Sequence, residues 1–447
     1  TCFLDHDDKL ECDALFWFVS FLNEHPETDV LYSDEDKFIS GDDTYCYPNF
    51  KPDWNPDFLN ANNYICHLTM VRTSLLKENG GFRKEFDGAQ DHDLLFRLTE
   101  KTDRIGHVAR ILYHWRMGSG STAADFKRKS YAEDAGLKAV KAHYGRLGIQ
   151  AEVEPGQVGG WYVTRFTLPS EPLVSVIIPN KDHVKDLKAC LDSLYRISSY
   201  RNIEVLVIEN NSTEPGTFAF YEEAEKTYPN LKVVRYEGAF NYSAINNLGA
   251  ANASGEYLLL LNNDVTADSK DFLSSMVSYA MRPDVGAVGA RLLYPDRTVQ
   301  HAGVLIGFGG MAGHLFKGER EREPGYMCRS ITTTDVSAVT AACLLVKESV
   351  YESVGGLDEA FRVAFNDIDF CLKIRSKGLL IVYDAEAVLI HAESKSRGAE
   401  NTPEKFTRFS EETDRLSQKW KILFRGGMTD PYYNPNCSYL EYFKPGD

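Results

Sequence analysis

The stretch Glu256–Val265 constrains the fold most, because four consecutive leucines end abruptly in two amides and a carboxylate. An apolar run of this length between polar residues is typical of a strand buried on both faces. Such strands occupy the centre of parallel sheets, and ligands of open α/β sheets bind at the carboxyl ends of the strands. Asp264 is therefore predicted to lie where a metal ion or a phosphate group would bind. A similar pattern opens the chain, where Cys2-Phe3-Leu4 is followed by Asp5 and Asp7.

Composition excludes several classes of protein. The 447 residues are 43% hydrophobic and 26% charged, which is typical of a soluble globular protein with two or three domains. The net charge of −16 argues against a general nucleic-acid binder, whose surface is basic. Nine cysteines without CxxC spacing indicate free thiols in a reducing compartment. The sequence contains neither a transmembrane run nor a signal peptide pattern. Since Thr1 opens what reads as a core strand, we expect the natural N-terminus to be missing.

Strand and helix patterns alternate along the middle of the chain. Strands are predicted over Leu173–Ile178, Ile203–Ile208, Leu231–Arg235 and Tyr257–Leu261, and helices over Val184–Arg196 and Ser243–Ala253. This alternation predicts a parallel sheet with right-handed crossovers. Nearer the N-terminus, Val30–Ser33 is predicted to form a short strand that ends at the acidic triplet Asp34-Glu35-Asp36.

The second half of the chain repeats part of the first. Gly80-Gly81-Phe82 corresponds to Gly355-Gly356-Leu357, and Gln90-Asp91-His92-Asp93 corresponds to Asn366-Asp367-Ile368-Asp369. The spacing from Asp91 to His114 (114 − 91 = 23) matches that from Asp367 to His391 (391 − 367 = 24). Internal similarity of this kind predicts a duplicated domain. We expect the C-terminal half of a first domain at residues 1–125, a helical and strand linker at 126–172, a complete second domain at 173–400 and a helical extension at 401–447.

Residues 173–398 resemble the family 2 glycosyltransferases with the GT-A fold. Val174–Asn180 is similar to their first strand, Val207–Ser212 to their second nucleotide-binding turn, and Leu261–Asp264 to their DXD motif, with Asn262 in the first place. Phe365–Asp369 resembles their acceptor-site motif, and His391 their metal-binding histidine. The resemblance implies an α/β, Rossmann-like GT-A fold with one partial and one complete copy. It points to tandem-domain bacterial enzymes that build rhamnan or O-antigen polysaccharides.

The resemblance also implies a nucleotide-sugar donor and a divalent metal, Mn²⁺ or Mg²⁺. Such a metal stabilises the departing diphosphate, and these cations prefer oxygen ligands. The residues expected to bind the nucleotide-sugar are Pro179, Asn180, Glu209, Asn211, Asn246, Asn262 and Asn263. Those expected to bind metal are Asp264 and His391 in the second copy and Asp5, Asp7 and His114 in the first. The alternatives are that Asp264 only caps a turn and that the histidines are core residues.

A general base is needed because a sugar hydroxyl is a poor nucleophile near neutral pH. Asp367 and Asp91 are the candidates, since each lies near the N-terminus of a predicted helix, where the dipole favours the carboxylate. The alternative is that both are capping residues. Asp369 and Asp93, two residues further on, are expected to be structural.

The sequence therefore predicts an inverting, metal-dependent glycosyltransferase. It would move a sugar from dTDP-rhamnose or a UDP-sugar to a hydroxyl of a growing glycan, including a lipid-linked one. The second copy is expected to be active and the first to be inactive in this chain. The alternatives are an inactive glycan-binding or scaffold module, and a nucleotidyltransferase, although a glycine-rich phosphate loop is missing from the sequence. We expect a cytoplasmic protein without a nucleic-acid partner, with peripheral contact at the inner membrane face left open.

Overall fold

The chain folds into two compact units. The structure is a computed structural model that describes residues 1–39, 44–117, 126–392, 402–421, 423 and 430–446. Unit 1 comprises Thr1–Thr167 and Thr429–Asp447, and unit 2 comprises Leu168–Met428. Along the chain, unit 2 is therefore inserted between two segments of unit 1. Both units combine helices with a sheet, which confirms the predicted α/β class. None of the described helices is both long enough and apolar enough to cross a membrane.

Unit 1 is built on a mixed sheet. Its elements are β1 (Lys9–Leu10), α1 (Ala14–Glu24), β2 (Val30–Ile39), β3 (Tyr45–Asn49), α2 (Pro56–Ala61), β4 (Thr69–Val71), α3 (Thr73–Glu78), α4 (Gln90–Thr99), β5 (Ile105–Met117), α5 (Phe126–Leu147), β6 (Ala151–Pro155) and β7 (Tyr162–Phe166). Strand β2 pairs antiparallel with β3 and β4 and parallel with β5, and β1 pairs with β5. Strands β6 and β7 form a separate hairpin.

Strand β2 runs further than the sequence predicted. It continues through the acidic triplet to Ile39, and its Asp34, Glu35 and Asp36 are buried. Each carboxylate has a cationic or histidine partner, and unpaired burial of such groups would be strongly unfavourable. The partners are Lys51 Nζ at 3.2 Å from Glu35, His107 at 3.0 Å from Asp34 and His114 at 2.6 Å from Asp36.

Unit 2 contains a larger sheet. Its elements are β8 (Val174–Asn180), α6 (Val184–Arg196), β9 (Ile203–Glu209), α7 (Pro215–Thr227), β10 (Leu231–Arg235), α8 (Tyr242–Ala251), β11 (Tyr257–Leu261), β12 (Val265–Ala267), α9 (Phe272–Ala280), β13 (Val285–Leu293), β14 (Val299–His301), β15 (Val304–Ile306), β16 (Ala312–His314), β17 (Thr334–Asp335), β18 (Cys343–Lys347), α10 (Glu348–Ser353), α11 (Asn366–Arg375), β19 (Leu380–His391) and α12 (Pro403–Lys419). The predicted strands and helices between β8 and β11 are confirmed to within a few residues.

The strand order of unit 2 places a crevice at the end of β11. The order is β10-β9-β8-β11-β18-β13-β19-β12, and the first four strands are parallel, as the alternation predicted. The chain winds outward from β8 to β10 and then returns to the other side of β8 as β11. Ligands of doubly wound sheets bind at such a switch point, outside the carboxyl ends of the strands. Helix α8 packs closely on β8 there, because a Cβ atom on Gly249 would lie 2.4 Å from Ile177 Cγ2.

The two units share one pattern of strand pairing. In unit 1, β2 pairs antiparallel with β4 and parallel with β5; in unit 2, β13 pairs antiparallel with β18 and parallel with β19. Strand β1 places Lys9 opposite His114, and β12 places Val265 opposite His391. The two histidines that were predicted to bind metal therefore occupy the same register position.

Candidate functional site

Asp264 and His391 meet at the carboxyl end of β11. Strand β11 ends at Leu261, and β12 then pairs with the last residues of β19. This pairing brings Asp264 Oδ1 to 3.2 Å from His391 Nε2, and both side chains are less than a tenth exposed. The Asn262 amide nitrogen lies 3.5 Å from the same ring nitrogen. The structure thus brings together three of the predicted site residues.

A buried amide determines which nitrogen of His391 faces Asp264. Gln300 on β14 is 5% exposed, and its Oε1 lies 3.0 Å from His391 Nδ1. Because a carbonyl oxygen can only accept, Nδ1–H donates to Gln300, and Nε2 is the ring nitrogen that faces the Asp264 carboxylate. The Asp264 oxygen and the ring nitrogen, 3.2 Å apart, are close enough to share a proton or a cation. Histidines that bind metals typically donate their second ring N–H in this way.

Two further histidines lie near His391. His301 Nδ1 is 2.9 Å from His314 Nδ1, and His301 Nε2 accepts a hydrogen bond from the Thr340 backbone N–H at 3.4 Å. Burial lowers the pKa of His301 well below its usual range, and the nearby His314 and His391 lower it further. His301 is therefore neutral at neutral pH, with its Nδ1–H donated to His314.

A chain of hydrogen bonds joins the ends of β8, β9 and β11. Asn263 donates to Asn180 Oδ1 at 2.6 Å, and Asn180 donates to the Tyr221 hydroxyl at 2.8 Å. Tyr221 in turn donates to Glu209 Oε2 at 2.5 Å. Glu209 is 4% exposed and also accepts from the backbone N–H and hydroxyl of Ser212. These three donors hold the carboxylate in place at the end of β9. The sequence did not indicate Tyr221, since one tyrosine in a helix carries no distinguishing pattern.

The remaining residues that were predicted to bind the nucleotide-sugar lie in different surroundings. Pro179 is half-buried near the end of β8, whereas Asn211 is exposed in a left-handed turn (φ 57°) and donates to the Gly238 carbonyl. Asn246 is fully buried in α8, where its Nδ2 donates to the Tyr242 carbonyl one turn earlier at 2.8 Å. Its Oδ1 has no hydrogen-bond partner among the described residues. Asn246 therefore lies inside unit 2, because its position on the helix faces inward, and its contact with the nucleotide-sugar stays a prediction.

Asp367 lies at the start of α11. It is next to the residues that lead into β18, the neighbour of β11 in the sheet. Its Oδ1 accepts from the Ile368 N–H at 2.9 Å, and its Oδ2 accepts from the Ala341 N–H at 3.2 Å. The adjacent Ala342 carbonyl accepts from the Asn262 N–H at 3.0 Å, so Asp367 is linked to the tip of β11. Asp369 is buried and contacts Lys419 and Trp420, which agrees with the structural role expected of it.

Unit 1 does not bring its predicted metal ligands together. Asp5 and Asp7 are exposed, and within the described ranges they form no three-ligand cluster with His114. His114 instead lies 2.6 Å from Asp36 and 3.2 Å from Glu11. Burial lowers the pKa of His114, but these two carboxylates outweigh it and the net pKa is raised.

The register of strand β1 explains why Asp7 does not lie beside His114. The residue that precedes the paired strand β1 is Asp8 rather than Asp7. Asp8 is held by the Tyr113 hydroxyl at 2.5 Å and by the Arg116 N–H at 2.8 Å.

Asp91, the candidate base of the first copy, lies in a cavity of about 1330 Å³ within unit 1. Its Oδ2 accepts from Asn63 Nδ2 at 2.9 Å. Asp93 is buried and accepts from the guanidinium groups of Arg83 and Arg97, which agrees with its expected structural role. The cavity also contains Asp5 in its wall.

Two relatives match nearly the whole chain, whereas a family model matches part of unit 2. The chain is 44% identical over 442 residues to the uncharacterized protein y4gI of Sinorhizobium fredii, covering 97% of this chain and 48% of that protein. It is 40% identical over 441 residues to the O-antigen biosynthesis protein RfbC of Myxococcus xanthus, covering 98% of this chain and 33% of that protein. The chain thus spans about half or less of the length of these two relatives.

A shorter similarity links the chain to a third relative. It is 25% identical over 245 residues to an N-acetylglucosaminyl-diphospho-decaprenol L-rhamnosyltransferase of Mycobacterium tuberculosis, covering 51% of this chain and 77% of that protein. Residues 175–355, which contain β8, β11, Asp264 and the Asn180–Glu209 hydrogen bonds, match the family model described as Glycosyl transferase family 2. The match to this family therefore lies within unit 2 and includes Asp264.

Proposed function

We propose that unit 2 is an inverting, metal-dependent glycosyltransferase module of the GT-A type. It transfers a sugar from a nucleotide-sugar to a hydroxyl of a growing surface polysaccharide. The observation that carries this proposal is the contact between Asp264, which lies in the region that matches the family, and His391 at the switch point of the sheet. The names of two relatives, an O-antigen biosynthesis protein and an L-rhamnosyltransferase, favour dTDP-rhamnose over a UDP-sugar as the donor.

The residues at the tip of β11 fit a divalent cation. Asp264 supplies a carboxylate oxygen and His391 an Nε2 lone pair, and Gln300 holds the ring in that orientation. Imidazole together with carboxylate suits Mn²⁺-type ions, and Mg²⁺ keeps several water ligands beside one or two carboxylates. A cation bound here would neutralise the negative charge of the leaving diphosphate.

The donor would bind along the ends of β8, β9 and β11. Asn180 and Asn263 offer amide groups there, and Pro179 and Asn211 lie at the rim. Glu209 orients the turn after β9 through Ser212 and Tyr221. We assign the sugar and phosphate contacts to Asn180, Asn262 and Asn263, and the nucleoside to the turn that contains Asn211.

Asp367 would act as the general base. The acceptor hydroxyl oxygen forms a bond to the anomeric carbon as the bond from that carbon to the diphosphate breaks, and Asp367 takes the hydroxyl proton. Its carboxylate is held by two backbone N–H groups, which fix its position without supplying a proton of their own. A single displacement of this kind inverts the anomeric centre. A positioned base contributes about 10²–10⁴ in rate.

Unit 1 is proposed to be a partial copy of the same module. The shared pairing of β2 with β4 and β5, and of β13 with β18 and β19, supports this proposal. The acceptor would be a glycan, free or carried on a lipid. A lipid-linked acceptor would bring the protein to the cytoplasmic face of the membrane.

The proposal is tested by donor binding and turnover with the full chain. dTDP-rhamnose and UDP-sugars are titrated by calorimetry with and without Mn²⁺. The Asp264→Asn variant should lose the metal-dependent binding. The Asp367→Asn variant should keep it but lose at least about 10²-fold in transfer, with a nucleoside diphosphate as the released product. Asp271→Asn, an exposed carboxylate of the same unit, is the matched control.

Absence of donor binding in the presence of metal would contradict the proposal. A glycan-binding or scaffold module would then be the better account. Release of pyrophosphate would instead indicate a nucleotidyltransferase.

A further inference from the structure

Helix α12 packs against the segment that leads into the candidate base of unit 2. Both α11 and α12 belong to unit 2. Asp367 is the second residue of α11, so the course of the chain just before and just after it determines where its carboxylate lies. The function proposed above assigns no role to α12. Its contacts with α11 and with the preceding loop indicate one.

A buried carboxylate of α12 holds the backbone in front of α11. Glu412 is 3% exposed, and its side chain accepts from three consecutive backbone N–H groups. The Arg362 and Val363 N–H groups donate to Oε1 at 2.8 and 3.2 Å, and the Ala364 N–H donates to Oε2 at 2.7 Å. A buried carboxylate requires such donors. Three N–H groups that converge on one anion in turn fix the local course of the chain.

The next residue, Phe365, has a backbone conformation that depends on its surroundings. Its φ is 63°, in the left-handed region. A bulky residue is strained there and keeps this conformation only when neighbouring groups impose it. Glu412 fixes the backbone on the N-terminal side, and the Phe409 ring of α12 packs against Phe365 with 5.3 Å between the ring centroids. Because Phe365 directly precedes α11, its conformation sets the direction in which that helix begins.

The end of α12 holds α11 on the other side of Asp367. The Lys419 ammonium and the Trp420 indole N–H both donate to the buried Asp369 carboxylate at 2.9 Å. Lys419 also donates to Asp358 at 2.8 Å, in the loop that leads to α11. Asp367 therefore lies between two points at which α12 and the residue after it hold the chain.

We propose that Glu412 is a positioning residue for the transfer reaction and acts through Asp367. By holding residues 362–364, it fixes the direction of α11 and so the distance from the Asp367 carboxylate to the acceptor hydroxyl. A displacement of about 1 Å in such a group can cost about 100-fold in rate. Among the described residues, Glu412 has no hydrogen bond to Asp264 or His391, so donor binding should not depend on it. The inference rests on the proposed function, since it requires Asp367 to be the base.

The test measures turnover and donor binding by the full chain with Mn²⁺. The donor is dTDP-rhamnose, or the UDP-sugar that the titration described above selects, and methyl α-L-rhamnoside is the acceptor probe. Release of the nucleoside diphosphate counts transfer to the probe and to water. Glu412→Gln replaces one acceptor oxygen by a nitrogen that cannot accept. Its kcat should fall about 10–100-fold, while the donor affinity stays unchanged.

A double-mutant cycle separates positioning of the base from a general loss of structure. In the Asp367→Asn background, Glu412→Gln should cause no further loss of kcat, because no base is left to position. Hydrogen exchange gives a readout that needs no activity, and the amides of residues 362–364 should exchange faster in Glu412→Gln. Glu411→Gln changes an exposed carboxylate one residue earlier on α12 and should match the wild type in both measurements.

Glu412→Asp keeps a carboxylate but shortens its reach. It should lie between Glu412→Gln and the wild type in kcat, and it carries the same cycle should the Gln variant fail to fold. Wild-type kcat or unchanged hydrogen exchange in the Glu412 variants would overturn the inference and leave the proposed function in place. Weaker donor binding, or a further loss in the Asp367→Asn background, would also overturn it in favour of a general structural role. Wild-type turnover by Asp367→Asn would overturn both the assignment of the base and this inference.

Discussion

At the scale of single residues, Gln300 determines which nitrogen of His391 faces Asp264, although it lies outside the sequence motifs. Its Oε1 accepts from His391 Nδ1–H, so His391 turns Nε2 toward Asp264. Motif spacing indicated Asp264 and His391, because each follows an apolar strand. It could not indicate Gln300, since one amide in the short strand β14 has no recognisable spacing to either partner.

Replacing Gln300 by Leu should weaken Mn²⁺ binding by about 10–100-fold, the usual effect of removing a partner behind a metal-binding histidine. The buried Nδ1–H would lose its acceptor, and the ring would no longer be held with Nε2 toward Asp264. Gln300→Glu restores an acceptor at the same position and should bind Mn²⁺ at least as tightly as the wild type. Electron paramagnetic resonance titration of free Mn²⁺ measures both affinities. Equal affinity of the Leu variant and the wild type would remove Gln300 from the site.

At the scale of elements, β11 and β2 show when acidic residues after an apolar run predict the end of a strand. Strand β11 ends before Asn262, as predicted, and the polar residues that follow it lie at the site. Strand β2 was predicted to end at Ser33, but it continues through Asp34, Glu35 and Asp36 to Ile39. The groups that neutralise these carboxylates lie 73, 16 and 78 residues away in sequence. Local pattern cannot distinguish a carboxylate with such a distant partner from one that faces solvent.

Strand β19 carries a buried carboxyl group that should make stability depend on pH. Burial raises the pKa of Asp384 from 3.8 to about 6, and hydrogen bonds from Ser275 and the Glu386 N–H only partly oppose this. The folded state therefore binds the proton more tightly than the unfolded state. The contribution of Asp384 to stability is full below about pH 4 and is lost as the pH rises to about 6.

The Asp384→Asn variant should not lose stability in this way as the pH rises from 4 to 7. Relative to the wild type, the variant should gain up to roughly 3 kcal/mol between pH 4 and pH 7, at about 1.4 kcal/mol per pKa unit. Urea midpoints of both proteins at the two pH values measure the difference. The same stability difference at both pH values would show that Asp384 does not titrate in this range.

At the scale of the whole molecule, the repeat was the most informative sequence signal. The nearly equal spacing of Asp91–His114 and Asp367–His391 predicted related elements, and the two units do share their strand pairing. The return of the chain to unit 1 was not predictable. Residues 401–447 were expected to form a helical extension, but α12 ends at Lys419 and residues 430–446 belong to unit 1. Polar contacts of Asn434 with Asp34 and Lys51 hold this segment, and such contacts leave no periodic pattern.

Donor and metal should stabilise unit 2 but not unit 1. dTDP with Mn²⁺ at 100 times its dissociation constant adds about 2.7 kcal/mol to the unit that binds it, which raises its Tm by roughly 5–10 °C. Tryptophan fluorescence reports mainly on unit 1, which holds Trp17, Trp54, Trp115 and Trp161, whereas unit 2 holds Trp420. The calorimetric transition of unit 2 should therefore shift while the fluorescence transition stays. Asp264→Asn should abolish the shift, and an equal shift of both transitions would contradict the assignment of the donor site.

The insertion of unit 2 into unit 1 reverses the usual order of maturation on the ribosome. Domains of a nascent chain generally fold from the N-terminus onward. Here the buried Asp34 and Lys51 receive Asn434 from 400 and 383 residues downstream, so unit 1 completes its interior only after unit 2 has been synthesised. Unit 2 carries all of its own strands in one continuous segment and can fold first. During translation the earlier unit thus waits for the later one, and until then the buried Asp34 carboxylate lacks the amide donor of Asn434.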